Sequence, residues 1–172
     1  MCFFLTIATP LTLSEVRSML PAGLTAQPVS AVEAAALRRL FPATGTAAAL
    51  LVGGCSCDLV RERNPDSRED ERLLRERYFR LSLTRERIIR ELERHRRRSS
   101  PAQSFEHWSR ALASFVAEHA RNAGPTLYHL RFGLAEAAPL PKEASAVTRS
   151  TAEVRARLHG WLEEDRPVMV VR

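Results

Sequence analysis

The sequence predicts an α+β fold: a small mixed or antiparallel sheet with helices on one face and an inserted, charged helical hairpin. Three observations predict it. Apolar runs of strand length alternate with amphipathic stretches in the order β-α-β-α-β-α-α-β-α-β. The connections are mostly short, which favours neighbouring elements packing on one another. The chain has 172 residues, 45% hydrophobic and 27% charged, enough apolar material for one core and too much for a disordered chain. The order is compatible with a ferredoxin-like, split β-α-β arrangement. We read residues 1–172 as a single domain, with 61–122 as the inserted hairpin.

Residues 2 to 9 are apolar on both parities, with Phe3, Leu5 and Ile7 on one side and Phe4 and Ala8 on the other. That pattern fits a central strand covered on both faces, ended by Pro10. Thr12 or Ser14 can cap a short helix that Pro21-Ala22-Gly23 stops. Leu24 to Val29 reads as a short strand. Ser30 to Leu40 reads as a helix, with Ser30 as N-cap and Glu33 at capping-box spacing. Thr46 to Val52 is an apolar run of strand length closed by Gly53-Gly54.

Residues 61–98 change character: 23 of these residues are charged, 14 of them arginine. Leu74, Tyr78, Leu81, Ile88 and Leu92 recur at helical steps and leave a thin apolar stripe. Ser82-Leu83-Thr84 divides the stretch into two helices, with Thr84 as cap of the second. Alternation of Phe79, Leu81 and Leu83 would also suit a strand, but the flanks are strong helix formers. Ser104 to Asn122 reads as an amphipathic helix with Phe105, Trp108, Leu112, Phe115 and Val116 inward, packing antiparallel on the charged stretch. Thr126 to Phe132 reads as a strand, 134–147 as a surface loop, Ser150 to Glu164 as a helix, and Val168 to Val171 as the last strand.

Three cysteines, Cys2, Cys55 and Cys57, are too few for a disulfide framework. Cys55 and Cys57 form a C-x-C just past a strand, and extended backbone would point both thiols the same way. Two such sulfurs suit one soft centre: zinc, copper(I) or an iron–sulfur cluster. Cys2 opens the first strand. It meets the other two if strands 2–9 and 46–52 are antiparallel neighbours, and lies at the far end of the sheet if they are parallel. Asp58 or His129 would supply a fourth ligand. Thiol chemistry is a further option, and inert burial as small hydrophobes is the plain alternative. The other histidines, His95, His107, His119 and His159, have no metal-pair spacing and read as surface or half-buried residues.

The opening Met1-Cys2 followed by a strand resembles the start of N-terminal-nucleophile glutamine amidotransferases, with Phe3 where glycine usually follows the cysteine. The resemblance implies that removal of Met1 would leave a Cys2 thiol beside an α-amine acting as its base.

The formal net charge is +6, with 25 arginines and the single lysine Lys142. Residues 61–98 hold five of those six charges, and Arg94, Arg96, Arg97 and Arg98 hold four. The rest of the stretch is nearly balanced, and Glu71–Arg75, Glu76–Arg80, Glu86–Arg90 and Glu93–Arg97 are expected as i, i+4 pairs. A partner protein, a nucleic acid or another phosphate-containing ligand would bind at Arg94, Arg96, Arg97 and Arg98. Few aromatics lie nearby, so base stacking is not expected. No run approaches 18 apolar residues, so neither a membrane span nor a membrane partner is expected. The first basic residue is Arg17, which does not suit a signal peptide, and the expected location is the cytoplasm. The sequence thus offers a cysteine site for metal or thiol chemistry, a binding module using 61–98, and an N-terminal-Cys amidohydrolase-type nucleophile.

Overall fold

The computed structural model describes residues 2–60, 68–97, 105–133, 145–158 and 160–172. The elements are β1 (Cys2–Thr9), α1 (Leu13–Ser18), β2 (Leu24–Pro28), α2 (Ala31–Leu40), β3 (Thr46–Val52), α3 (Cys57–Val60), α4 (Arg68–Arg80), α5 (Arg85–Arg97), α6 (Phe105–Ala123), β4 (Thr126–Gly133), β5 (Val147–Ser150), α7 (Thr151–Ala156) and β6 (Val168–Val171). The strands form one six-stranded mixed sheet in the order β2-β3-β1-β4-β6-β5.

The first four strands pair antiparallel throughout, and their order is that of a split β-α-β fold. β6 adds antiparallel to β4, and β5 adds parallel to β6 at the edge. β1 is central and buried along its whole length, as expected of a strand apolar on both parities. Its odd residues Leu5 and Ile7 join Leu50 of β3 and Tyr128 and Leu130 of β4 in the main core, under Val16 of α1, Trp108, Leu112, Phe115 and Val116 of α6, and Val154 of α7.

The even residues face the other way. Ala8 packs with Ala47, Leu127 and Leu37 of α2, so α2 covers the face opposite the other helices. Ser30 caps α2 by accepting the Glu33 N–H. The Glu33 side chain does not close the capping box. It turns inward, accepts from Thr6 Oγ1 at 3.0 Å and pairs with buried Arg131 at 3.3 Å. The buried Arg131 charge competes for that carboxylate more strongly than one exposed backbone N–H can.

Gly45 is required where β3 begins. A Cβ there would lie 2.5 Å from the Pro10 carbonyl oxygen, while its N–H donates to Thr9 O at 2.8 Å.

Several boundaries differ from the sequence reading. The expected helix over 150–164 is only α7, which Ser150 and Glu153 start with a capping box and which ends before Gly160, at φ +76°. Trp161 is still buried, reaching Tyr128 edge-on at 5.4 Å, but from irregular chain. Val147–Ser150, expected partly as loop, is the edge strand β5. The break between α4 and α5 is where it was expected: Ser82 takes φ +55°, and Thr84 Oγ1 accepts the Arg87 N–H. Leu81 lies past the end of α4, so it leaves the helical phase and is exposed rather than on the buried stripe. α4 and α5 pack on one another, and the main helical neighbours of α6 are α3 and α7.

Candidate metal centre

The sulfur site is built by the antiparallel pairing of β1 with β3. The register sets Leu5 opposite Leu50 and Thr9 opposite Thr46, so the start of β1 lies beside the end of β3. After Val52 the chain turns back at once. Gly53 takes φ +62°, which side-chain-bearing residues rarely adopt, and Val52 N–H donates to Cys55 O at 2.9 Å. The turn returns Cys55-Ser56-Cys57 to the end of β1.

Ser56 fastens it there. Ser56 N–H donates to Phe3 O at 2.9 Å. Its hydroxyl accepts from Leu5 N–H at 2.7 Å and donates to Leu50 O at 2.5 Å. One side chain thus bridges both strands where their own ladder stops. Ser56 is fully buried and every polar group it carries into the interior is used. In the residue pattern this role is visible only as a small polar residue between two cysteines. Held this way, the two flanking sulfurs reach Cys2, and the three Sγ atoms lie within 4.8 Å of one another. All three cysteines are buried and none is in a disulfide. The antiparallel alternative for strands 2–9 and 46–52 is therefore the one that holds.

Two further features shape the site. Phe3 N–H donates to Cys57 Sγ at 3.4 Å, a backbone dipole aimed at sulfur. Cys2 and Cys55, together with burial, push the Cys57 thiol far above its ordinary range. Like groups this close cannot all ionise without a compensating cation.

Neither expected fourth ligand joins the group. Among the described residues no histidine or carboxylate completes a set with the three sulfurs. Asp58 is buried in α3 immediately after Cys57. His129 pairs with Thr6, four residues along β1 from Cys2, a separation of about 13 Å at strand rise. It belongs to the α2 face, near Arg131. The Cys2 sulfur, which the amidotransferase resemblance would make a nucleophile, is in a residue only 6% exposed.

Of the histidines read as surface or half-buried, His107 is exposed, the His95 side chain and all of His159 lie outside the described residues, and His119 differs. His119 is fully buried, with Nδ1 3.1 Å from Tyr128 OH and Nε2 2.9 Å from Thr9 Oγ1. Burial lowers its pKa to about 4. Burial and the Arg131 charge lower that of His129 to about 4 as well.

Of the arginine cluster, Arg94, Arg96 and Arg97 fall in the backbone of α5, while their side chains and all of Arg98 lie outside the described residues. The balanced-charge expectation holds at Arg75–Glu71 but not at Glu76, which pairs with Arg72 rather than Arg80. Glu86–Arg90 is not formed, and Arg97 of the Glu93 pair is outside the described side chains. No helix among the described residues is long and apolar enough to cross a membrane.

Comparison with protein-family models, with curated proteins and with solved structures finds no match to this chain.

Proposed function

We propose that Cys2, Cys55 and Cys57 form a three-thiolate site for one soft metal ion, copper(I) or zinc. The observation that carries this reading is the approach of three buried sulfurs to within 4.8 Å of one another. Two metal–sulfur bonds of about 2.3 Å put their sulfurs roughly 3.8 Å apart at a tetrahedral angle and about 4.0 Å apart in a trigonal plane. The observed spacing accommodates either. An iron–sulfur cluster fits less well, because it takes four cysteines spread around several irons.

The residue set also speaks for a metal over a nucleophilic thiol. A reactive thiol needs exposure and a lowered pKa. Here burial and two neighbouring sulfurs act in the opposite direction on Cys57. A bound cation would reverse that balance by stabilising the thiolates. The Phe3 N–H would then help offset the surplus negative charge on Cys57 Sγ. With three protein sulfurs, copper(I) would be complete as a trigonal site. Zinc would keep one position for water or an external ligand.

The test is elemental analysis and an absorption spectrum of full-length protein purified without oxygen, with titration of copper(I) and zinc against a competing chelator. Intact mass on the same sample reports Met1 processing and any disulfide. One equivalent of metal per chain is expected, falling to less than a tenth in each of Cys2→Ser, Cys55→Ser and Cys57→Ser. Failure to bind either ion at one equivalent, or equal binding by the folded serine variants, would overturn the reading.

A further inference from the structure

The α4–α5 pair buries one stripe and leaves another apolar set outside. Leu74, Tyr78, Ile88 and Leu92 are buried, whereas Phe79, Leu81 and Ile89 are 77%, 43% and 46% exposed. All three lie within two helical turns of the bend at Ser82. A single exposed apolar side chain needs no explanation, but three at one helix-pair tip do.

Charge divides along the same pair. Away from the bend, Arg72 and Arg75 pair with Glu76 and Glu71, and Arg77 pairs with Glu164 at 2.9 Å. At the bend and just beyond it, Arg80, Arg85, Arg87 and Arg90 are exposed, with Glu86 the lone acidic residue among them. None of these four arginines is in an ion pair among the described residues. The tip therefore combines exposed Phe, Leu and Ile side chains with a net positive rim.

We propose that this tip is a peripheral docking site for an anionic lipid surface. Phe79, Leu81 and Ile89 enter the boundary between headgroups and acyl chains. Arg80, Arg85, Arg87 and Arg90 meet the lipid phosphates, which guanidinium groups bind through paired hydrogen bonds. The combination favours lipid over nucleic acid. A nucleic acid satisfies the arginines but gives Leu81 and Ile89 nothing to bury against, and Tyr78, the neighbouring aromatic, is already inside. The proposal is independent of the sulfur site. It also revises the expectation of no membrane partner, which rested on the lack of a spanning segment.

The test is co-sedimentation of the full chain with vesicles of phosphatidylcholine alone and of phosphatidylcholine mixed with phosphatidylserine. Partitioning onto the anionic vesicles should exceed that onto neutral ones by about tenfold or more and weaken with salt. Combined Phe79→Ser, Leu81→Ser and Ile89→Ser should lower it by about tenfold, with circular dichroism showing that the fold is retained. Arg80→Glu with Arg85→Glu, Arg87→Glu and Arg90→Glu should abolish it. Three results would each overturn the proposal: no preference for anionic vesicles, full binding by the triple serine variant, or capture by DNA or polyglutamate with no vesicle binding.

Discussion

The backbone N–H of Phe3 donates to Cys57 Sγ across 3.4 Å, joining the first strand to the C-x-C turn through a sulfur. Cys57 is thereby held by the same strand that presents Cys2, so fold and site are coupled at one contact. The coupling has a pH signature. In the metal-free protein the Cys57 thiol is pushed up by Cys2, Cys55 and burial, so it stays protonated when an unfolded cysteine would ionise. Stability from this source is complete below the ordinary thiol value of about 8.5 and declines as pH rises above it. The metal-free thermal midpoint should therefore fall between pH 8 and pH 10 (roughly the upper thiol range). Metal should reverse the sign, because protons then compete with the ion and affinity drops on acidification. A metal-free Cys57→Ser protein whose midpoint declines as steeply as wild type would show that Cys57 is not the source.

Ser56 should matter more than its size suggests. Ser56→Ala leaves Leu5 N–H and Leu50 O without the hydroxyl that serves both. An unsatisfied buried backbone group costs about 1–3 kcal/mol, so a loss of roughly 2–4 kcal/mol is expected in denaturant unfolding. Metal affinity should fall too, because the two sulfurs flank the residue that fixes the turn. Ser56→Thr, which keeps the hydroxyl, would test whether the hydrogen bonds or the space decide. Wild-type stability in the alanine variant would remove Ser56 from the account.

Much of this site was legible from residue pattern, and the part that was not depends on long-range pairing. Glycines after an apolar run marked the turn at Gly53, and Cys2 at the head of a two-sided apolar strand marked the centre of the sheet. Nothing local fixed whether β1 and β3 ran antiparallel, and on that alone depended whether the sulfurs met. Local signals also misled where a distant partner was stronger. Glu33 has capping-box spacing but goes to Arg131. Leu81 keeps helical spacing but lies past the end of α4, just before the positive-φ bend at Ser82, and is exposed. β5 escaped notice because Val147 is its one apolar residue and its pairing is with β6, distant in sequence. His119 looked like a surface residue until Thr9 and Tyr128, from two different strands, supplied partners for both ring nitrogens.

Acid should unfold this protein through two histidines. His119 and His129 both have pKa values lowered to about 4 in the folded chain. An unfolded histidine titrates near 6.5, so below that value the unfolded state binds protons that the folded state refuses. Their contribution is present above pH 6.5 and is lost as pH falls toward 4, at most about 3 kcal/mol for each histidine. Stability measured across that window should fall with a slope approaching two protons. His119→Gln and His129→Gln should each flatten the slope by about one proton, even where the variant is less stable overall. An unchanged slope in either variant would show that its imidazole is already charged in the fold.

The Glu33–Arg131 pair gives the last prediction, because it lies on the face where, among the described residues, α2 packs. Both side chains are buried, at 8% and 5% exposure, and Thr6 donates to the same Glu33 oxygen that Arg131 Nε reaches. The Arg131 guanidinium also lies over the Phe4 ring at 4.8 Å. Glu33→Gln keeps the shape but removes the carboxylate charge that Arg131 pairs with. Removing one partner of such a pair costs about 3–5 kcal/mol, whereas replacing both with apolar groups is often neutral or stabilising. Glu33→Gln should therefore be much less stable than Glu33→Leu combined with Arg131→Met. The comparison separates charge from packing, since the double variant removes more hydrogen bonds than the single one. A double variant weaker than Glu33→Gln would mean that the hydrogen bonds of Thr6 and Arg131, rather than the attraction between the two charges, hold α2 against the sheet.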